Sequence, residues 1–268
     1  MIFFVNRLRL SFRVLDPVQF PAGKAANSLR GALGTTAPEW FAIRVESGPS
    51  GLRNRPRPFV LRAAHLDGHT IAPGESFHFE VNLFDRRDAV AATLTDAFAT
   101  IVRQGIGLGR GRAELAASAS YPLEVELASK PFPITNISVR FVTPTELKDK
   151  NTLASQPDFG ILFTRVRDRI SALSVLYGAG PLDLDFKGLG ERAAQVRMTR
   201  CDTREIELHR RSSRTGQVHP LGGFVGEAEY EGDLAEFVPF LEAAQFTGVG
   251  RQTVWGKGQI EVCNAPPV

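Results

Sequence analysis

The sequence predicts an α+β protein built from two tandem ferredoxin-like (βαββαβ, RRM-like) domains. Three observations carry that prediction. The hydrophobic pattern alternates between period two and helical spacing in the order β-α-β-β-α-β, and does so twice. The length, 268 residues, slightly exceeds what one hydrophobic core usually serves. Each half also contains a helical pattern that runs through a glycine-rich loop into a strand, at residues 105–112 and 248–258.

The first domain is expected over residues 1–129. Leu8, Leu10, Phe12 and Val14 alternate with Arg7, Arg9, Ser11 and Arg13, the mark of a half-buried strand whose outer face is rich in arginine. That outer face reads either as a solvated surface or as a binding surface. A short helix follows over 21–33. Strands are expected at 59–65 and 76–83, joined by turns at Asp67-Gly68 and Pro73-Gly74. Asp88 is the expected N-cap of a helix carrying Val90, Leu94, Phe98, Ile101 and Val102 at helical spacing, and a strand over 114–126 closes the unit.

Lys130-Pro-Phe-Pro133 reads as a linker to a second domain over 134–268. Ile137, Val139 and Phe141 mark its first strand. Phe163, Val166, Ile170 and Leu173 mark the helix after it, and a short extra helix fits within 178–199. Ile206 and Leu208 mark a strand, residues 222–230 another, Leu234 to Leu241 the final helix, and 258–262 the last strand.

Composition narrows the function. The cationic residues are 26 Arg against 6 Lys, with a formal net charge of only +3. Arginine offers a planar fork of donors suited to phosphate and to stacking on bases, although a high-GC coding bias enriches it too. Cys201 and Cys263 lack CxxC spacing, which fits a reducing cytoplasm without a disulfide framework. No apolar run is long enough for a membrane span, and the charged N-terminus does not read as a signal peptide. Neither glycine loop is a nucleotide fingerprint. The later one ends in Lys-Gly rather than Lys-Ser or Lys-Thr, and the earlier one follows a helix rather than a strand. No HExxH, EF-hand, GxSxG or zinc-ligand pattern occurs, so no metal or cofactor is expected.

The loop Gly-Val-Gly-Arg-Gln-Thr-Val-Trp-Gly-Lys-Gly (248–258) is the most informative segment. Gly248, Gly250, Gly256 and Gly258 allow tight turns and close approach, and Arg251 and Lys257 are cations suited to phosphate. Trp255 either stacks on a base or packs over its own sheet. Arg110 and Arg112 repeat the pattern more weakly, and Arg210, Arg211 and Arg214 cluster at an expected hairpin.

Together with Ser28-Leu-Arg-Gly-Ala-Leu-Gly34, Gly74-Glu-Ser-Phe-His-Phe-Glu-Val-Asn-Leu-Phe84, Phe141-Val-Thr-Pro-Thr145 and Leu221-Gly-Gly-Phe-Val-Gly226, these pieces occur in an order that resembles the CRISPR-associated RAMP superfamily. In particular it looks like the repeat-cleaving endoribonucleases, which process precursor guide RNA in antiviral defense. The resemblance covers essentially the whole chain. It implies metal-independent cleavage by attack of a ribose 2′-OH on its own 3′ phosphate, leaving 2′,3′-cyclic phosphate and 5′-OH ends. It also implies CRISPR repeat RNA as partner and, within an effector complex, other CRISPR-associated proteins. The alternative is a non-catalytic RAMP subunit that binds guide RNA in such a complex.

Relatives often keep a His, with Tyr or Lys partners, in or just after the first helix. Residues 22–46 here contain neither His nor Tyr. Lys24 and Arg30 are, beside Ser28, the candidates in that stretch, and His65 is the nearest histidine. Lys24, Arg30 and His65 are the candidate catalytic residues, each with an ordinary reading as an exposed helix or loop residue. His78 reads as a solvated strand residue, and His209 as one member of a cross-strand ion pair.

Overall fold

The computed structural model describes residues 1–41, 56–211 and 218–264. In chain order the elements are β1 (Ile2–Val14), β2 (Val18–Gln19), α1 (Ala25–Thr36), β3 (Phe59–Arg62), β4 (Thr70–Ile71), β5 (Ser76–Leu83), α2 (Asp88–Gln104) and β6 (Ala113–Glu126). There follow β7 (Asn136–Thr145), β8 (Lys148–Asp149), β9 (Thr152–Leu153), α3 (Phe159–Tyr177), α4 (Phe186–Ala193), β10 (Arg197–Ile206), β11 (His209–Arg211), β12 (Val218–Pro220), β13 (Gly223–Glu231), α5 (Val238–Thr247) and β14 (Ile260–Asn264). They group into two compact units. The N-terminal unit holds residues 4–123 with 254–256; the C-terminal unit holds 1–3, 124–253 and the chain from Lys257 onward.

The N-terminal sheet has the order β3-β5-β1-β6, and the C-terminal sheet the order β10-β13-β7-β14. Counting only these strands, both read 2-3-1-4, the ferredoxin-like arrangement that the repeated hydrophobic pattern predicts. Antiparallel register in the first sheet sets Leu8 against Val81, Leu10 against Phe79 and Phe12 against Phe77. These side chains join Leu29 and Leu33 of α1 with Leu94, Phe98 and Val102 of α2 in one core. Each such buried side chain contributes about 1.5–3 kcal/mol. In the second sheet Phe141 and Val139 pair with Ile260 and Val262. Phe159 and Phe163 of α3 meet Phe237 edge-on at 5.3 and 4.6 Å.

Several sequence readings shift. The strand expected to reach His65 ends at Arg62, and His65 lies in a 3₁₀ turn over Ala64–Leu66. The strand placed at Ile206 and Leu208 is β10, which starts at Arg197 and ends at Ile206. Its residues are exposed or half-buried throughout, so it shows no apolar alternation to read. The final helix starts at Val238; Leu234 and Phe237 are buried ahead of it. Asp88 is the first residue of α2 rather than its cap. The carboxylate that organises that helix entry is Asp85, which accepts from the Arg87 backbone N–H at 3.1 Å and from Arg87 Nε at 2.9 Å.

The hydrogen bonds from Arg87 hold Asp85 below the usual carboxylate range. A depressed folded-state pKa contributes stability that is present above the unfolded value of about 3.9 and is lost as pH falls through the folded value. Asp85→Asn is therefore expected to cost about 1 kcal/mol at pH 7. In denaturant titrations the gap to the parent should narrow as pH falls below the ordinary carboxylate value of about 3.9.

Candidate nucleic-acid interface and active site

The later glycine loop is built as a closed neck. The Val249 N–H donates to Gly258 O at 2.9 Å, the Gly258 N–H to Pro144 O at 3.1 Å and the Arg251 N–H to Glu146 O at 3.1 Å. Gly258 has φ +68, and a Cβ there would lie 1.9 Å from Val249 O. At Gly250, with φ +76, a Cβ would lie 2.2 Å from Glu146 O. Glycine is thus required here by the chain's own backbone, a stricter reason than the approach of a ligand.

The cations of this loop are held differently from one another. The Arg251 guanidinium is exposed and donates to Glu146 Oε2 at 3.0 Å, so it stays at the surface but is tethered. Lys257 is only 4% exposed, and the surface position expected of it from the sequence does not occur. Residues 254–256 belong to the N-terminal unit. There the Arg30 guanidinium sits 4.9 Å from the Trp255 ring and 4.8 Å from the Phe41 ring. Arg30 is therefore sandwiched between two aromatic faces, a cation–π arrangement worth about 0.5–2 kcal/mol. One face of Trp255 is already occupied.

In the earlier loop Arg110 is exposed at φ 54. Arg112 donates to Asp16 at 2.5 Å, which lowers the Asp16 pKa. Arg210 and Arg211 lie in β11, opposite His219 and Val218 of β12, and Arg214 falls outside the described residues.

His65 and Lys24, 41 positions apart, are drawn toward one place by Asp67. Its Oδ1 accepts from the Ala25 N–H at 2.7 Å, binding the turn that carries His65 to the first residue of α1. Lys24 occupies the capping position of that helix. His65 is exposed, and its Nε2 lies 2.8 Å from the His78 carbonyl oxygen. A carbonyl only accepts, so Nε2 carries the proton, and in the neutral ring Nδ1 presents its lone pair. The His65 ring also stacks on the His78 ring, with centroids 4.8 Å apart. Burial, then Arg9, then His65 hold His78 below the usual histidine range. The sequence places His78 on a solvated strand face and Asp67 in a turn, and a strand residue and a turn aspartate give no sign of what they touch across the fold. Among the described residues, no group of three His, Cys, Asp or Glu side chains is placed to hold a metal ion. None of the described helices is long and apolar enough to cross a membrane.

A family model described as CRISPR-associated endoribonuclease Cas6 matches residues 139–260, and a second, described as an N-terminal domain, matches residues 36–126. Among curated protein sequences none matches this chain. Among solved structures, a Cas6 product complex aligns with TM-score 0.65 at 20% identity, covering 97% of this chain and 99% of its own. A Thermus thermophilus Cas6 aligns with TM-score 0.61 at 20% identity, covering 97% and 98%. A Cas6-related protein of Pyrococcus furiosus aligns with TM-score 0.50 at 11% identity, covering 98% and 100%. These likenesses establish the fold over nearly the full length. The match to the CRISPR-associated endoribonuclease Cas6 model falls within the second half of the chain, whose fold these structures share.

Proposed function

We propose that this endoribonuclease cleaves CRISPR repeat RNA without a metal ion, by attack of a 2′-OH on the adjacent 3′ phosphate. Cleavage breaks the bond to the 5′ oxygen. It leaves a 2′,3′-cyclic phosphate on one fragment and a 5′-OH on the other. The observation that carries the reading is the fixed tautomer of His65, with Nε2–H held by the His78 carbonyl and Nδ1 free to accept. In this reading Nδ1 takes the 2′-OH proton, and the resulting imidazolium is an acid suited to protonating a leaving oxygen. Lys24, at the mouth of α1, supplies charge stabilisation to the phosphate. Arg30 is a positioning residue, because it clamps Trp255 rather than facing outward.

Two findings support RNA as substrate. The family is one of endoribonucleases, and similar structures are described as Cas6 complexes with product and with a substrate mimic. A similar region also occurs in a Cas6-RT-Cas1–Cas2 complex, which supports other CRISPR-associated proteins as partners. We place the protein in the cytoplasm, where precursor RNA is made and where free Cys201 and Cys263 stay reduced. A second reading, a guide-binding subunit that does not cut, is favoured by the lack of His and Tyr over residues 22–46.

Repeat RNA incubated with the protein in EDTA is expected to break at one position, and a single 2′-deoxy substitution there should abolish the cut. Binding without cleavage would establish the non-cutting subunit instead. His65→Ala should bind repeat RNA with nearly parental affinity while its single-turnover rate falls by about 10²–10⁴-fold. An unchanged rate removes His65 from the chemistry.

The glycine neck has its own test. Gly258→Ala should lower the unfolding free energy by about 2–3 kcal/mol, read as a reduced midpoint in denaturant. A parental midpoint would show that the loop needs no glycine there.

A further inference from the structure

The two sheets share a topology, yet their outward faces differ in charge balance. On the C-terminal sheet most outward arginines are matched by acids, with Arg204 of β10 exposed and outside any ion pair among the described residues. Arg140 pairs with Glu261 at 3.6 Å and Arg197 with Glu231 at 2.6 Å, and Arg200 pairs with both Asp202 and Glu229. On the N-terminal sheet, β1 turns Arg7, Arg9, Ser11 and Arg13 outward, opposite Asn82, Glu80, His78 and Ser76 of β5. Glu80 is the single acid among those eight positions. Arg9 and Arg13 are exposed, and neither makes an ion pair among the described residues.

We propose that this outward face of the N-terminal sheet is a track for single-stranded RNA, with Arg9 and Arg13 contacting phosphates and the His65–His78 pair and Tyr121 supplying stacking surfaces. The proposal rests on the RNA-cleaving function above and names where the strand leading to His65 would run. Outward residues of a strand recur about every 6.7 Å, so Arg9 and Arg13 lie about 13 Å apart and bracket Ser11. Ser11 pairs with His78, whose ring carries His65 stacked on it. Cations thus stand on both sides of an imidazole pair. Farther along β1, the Arg7 guanidinium lies 5.6 Å from the Tyr121 ring, which is 44% exposed. Flat rings flanked by exposed arginines that make no ion pair among the described residues, on the part of the sheet face around Ser11 and His78, suit bases and phosphates together.

The depressed pKa of His78 fits this use, since a neutral ring stacks without adding repulsion beside Arg9.

The test is a salt titration of affinity on the whole protein, with repeat RNA and with oligouridylate as probes. Arg9→Glu/Arg13→Glu is expected to weaken binding of both probes by about 10-fold or more and to lower the salt slope by about two. Arg9→Gln/Arg13→Gln should lower the slope equally with a smaller loss of affinity, and it guards against misfolding by charge reversal. Arg197→Glu/Arg200→Glu changes net charge by the same amount on the other sheet and should leave the slope unchanged. Tyr121→Ala should weaken binding several-fold without changing the slope, and Tyr121→Phe should restore it. Equal losses from the two double reversals, or parental affinity and slope in the Arg9/Arg13 variants, would overturn the track. The latter result would point to an acidic protein segment as occupant. If the parent cleaves repeat RNA while those variants bind it normally, the track alone fails. If the parent binds no RNA at any salt concentration, the cleavage reading fails with it.

Discussion

Each four-stranded antiparallel sheet buries only one of its faces under helices, and most of this protein's character follows from that constraint. Where the other face is open, alternate residues go to water, and strands such as β1 contribute a row of side chains that the core does not specify; β3, buried at all four positions, is an exception. In the N-terminal unit the buried row is aromatic and aliphatic, from Leu8 to Phe12 and from Phe77 to Val81. The remaining row is open to use, and β1 fills it largely with arginine. The same geometry in the C-terminal unit is filled with a mixture of arginine and acidic residues, most of them ion-paired.

The loops obey a second requirement, that a buried backbone group find a partner. The neck formed by Val249, Gly258, Pro144 and Glu146 meets it with a set of short backbone contacts, and glycine is the residue that lets the strands come so close. The loop is consequently a rigid support. Arg251 is displayed on it, whereas Lys257 is drawn inside.

The candidate site shows how a carbonyl and a carboxylate can do what sequence motifs usually advertise. Asp67 ties the turn of His65 to the start of α1, and the His78 carbonyl selects which nitrogen of His65 is protonated. Neither partner belongs to a recognisable motif. Both act through the antiparallel register of β1, β3 and β5 and the turn that leaves β3.

The sequence by itself determined the repeated element order, because apolar side chains at period two or at helical spacing record which face of each element is buried. It also determined where the two glycine loops fall, since glycine clusters interrupt both patterns. It marked only the end of β10, at Ile206, because the rest of that strand lacks a buried apolar row. Only the tertiary structure decided which cations are available. Arg112 and Arg251 are tethered by Asp16 and Glu146 from distant parts of the chain, Arg30 is enclosed by Phe41 and Trp255, and Arg9 and Arg13 stay open. A cation's availability depends on which groups the fold brings beside it, and that is a property of long-range packing rather than of local sequence.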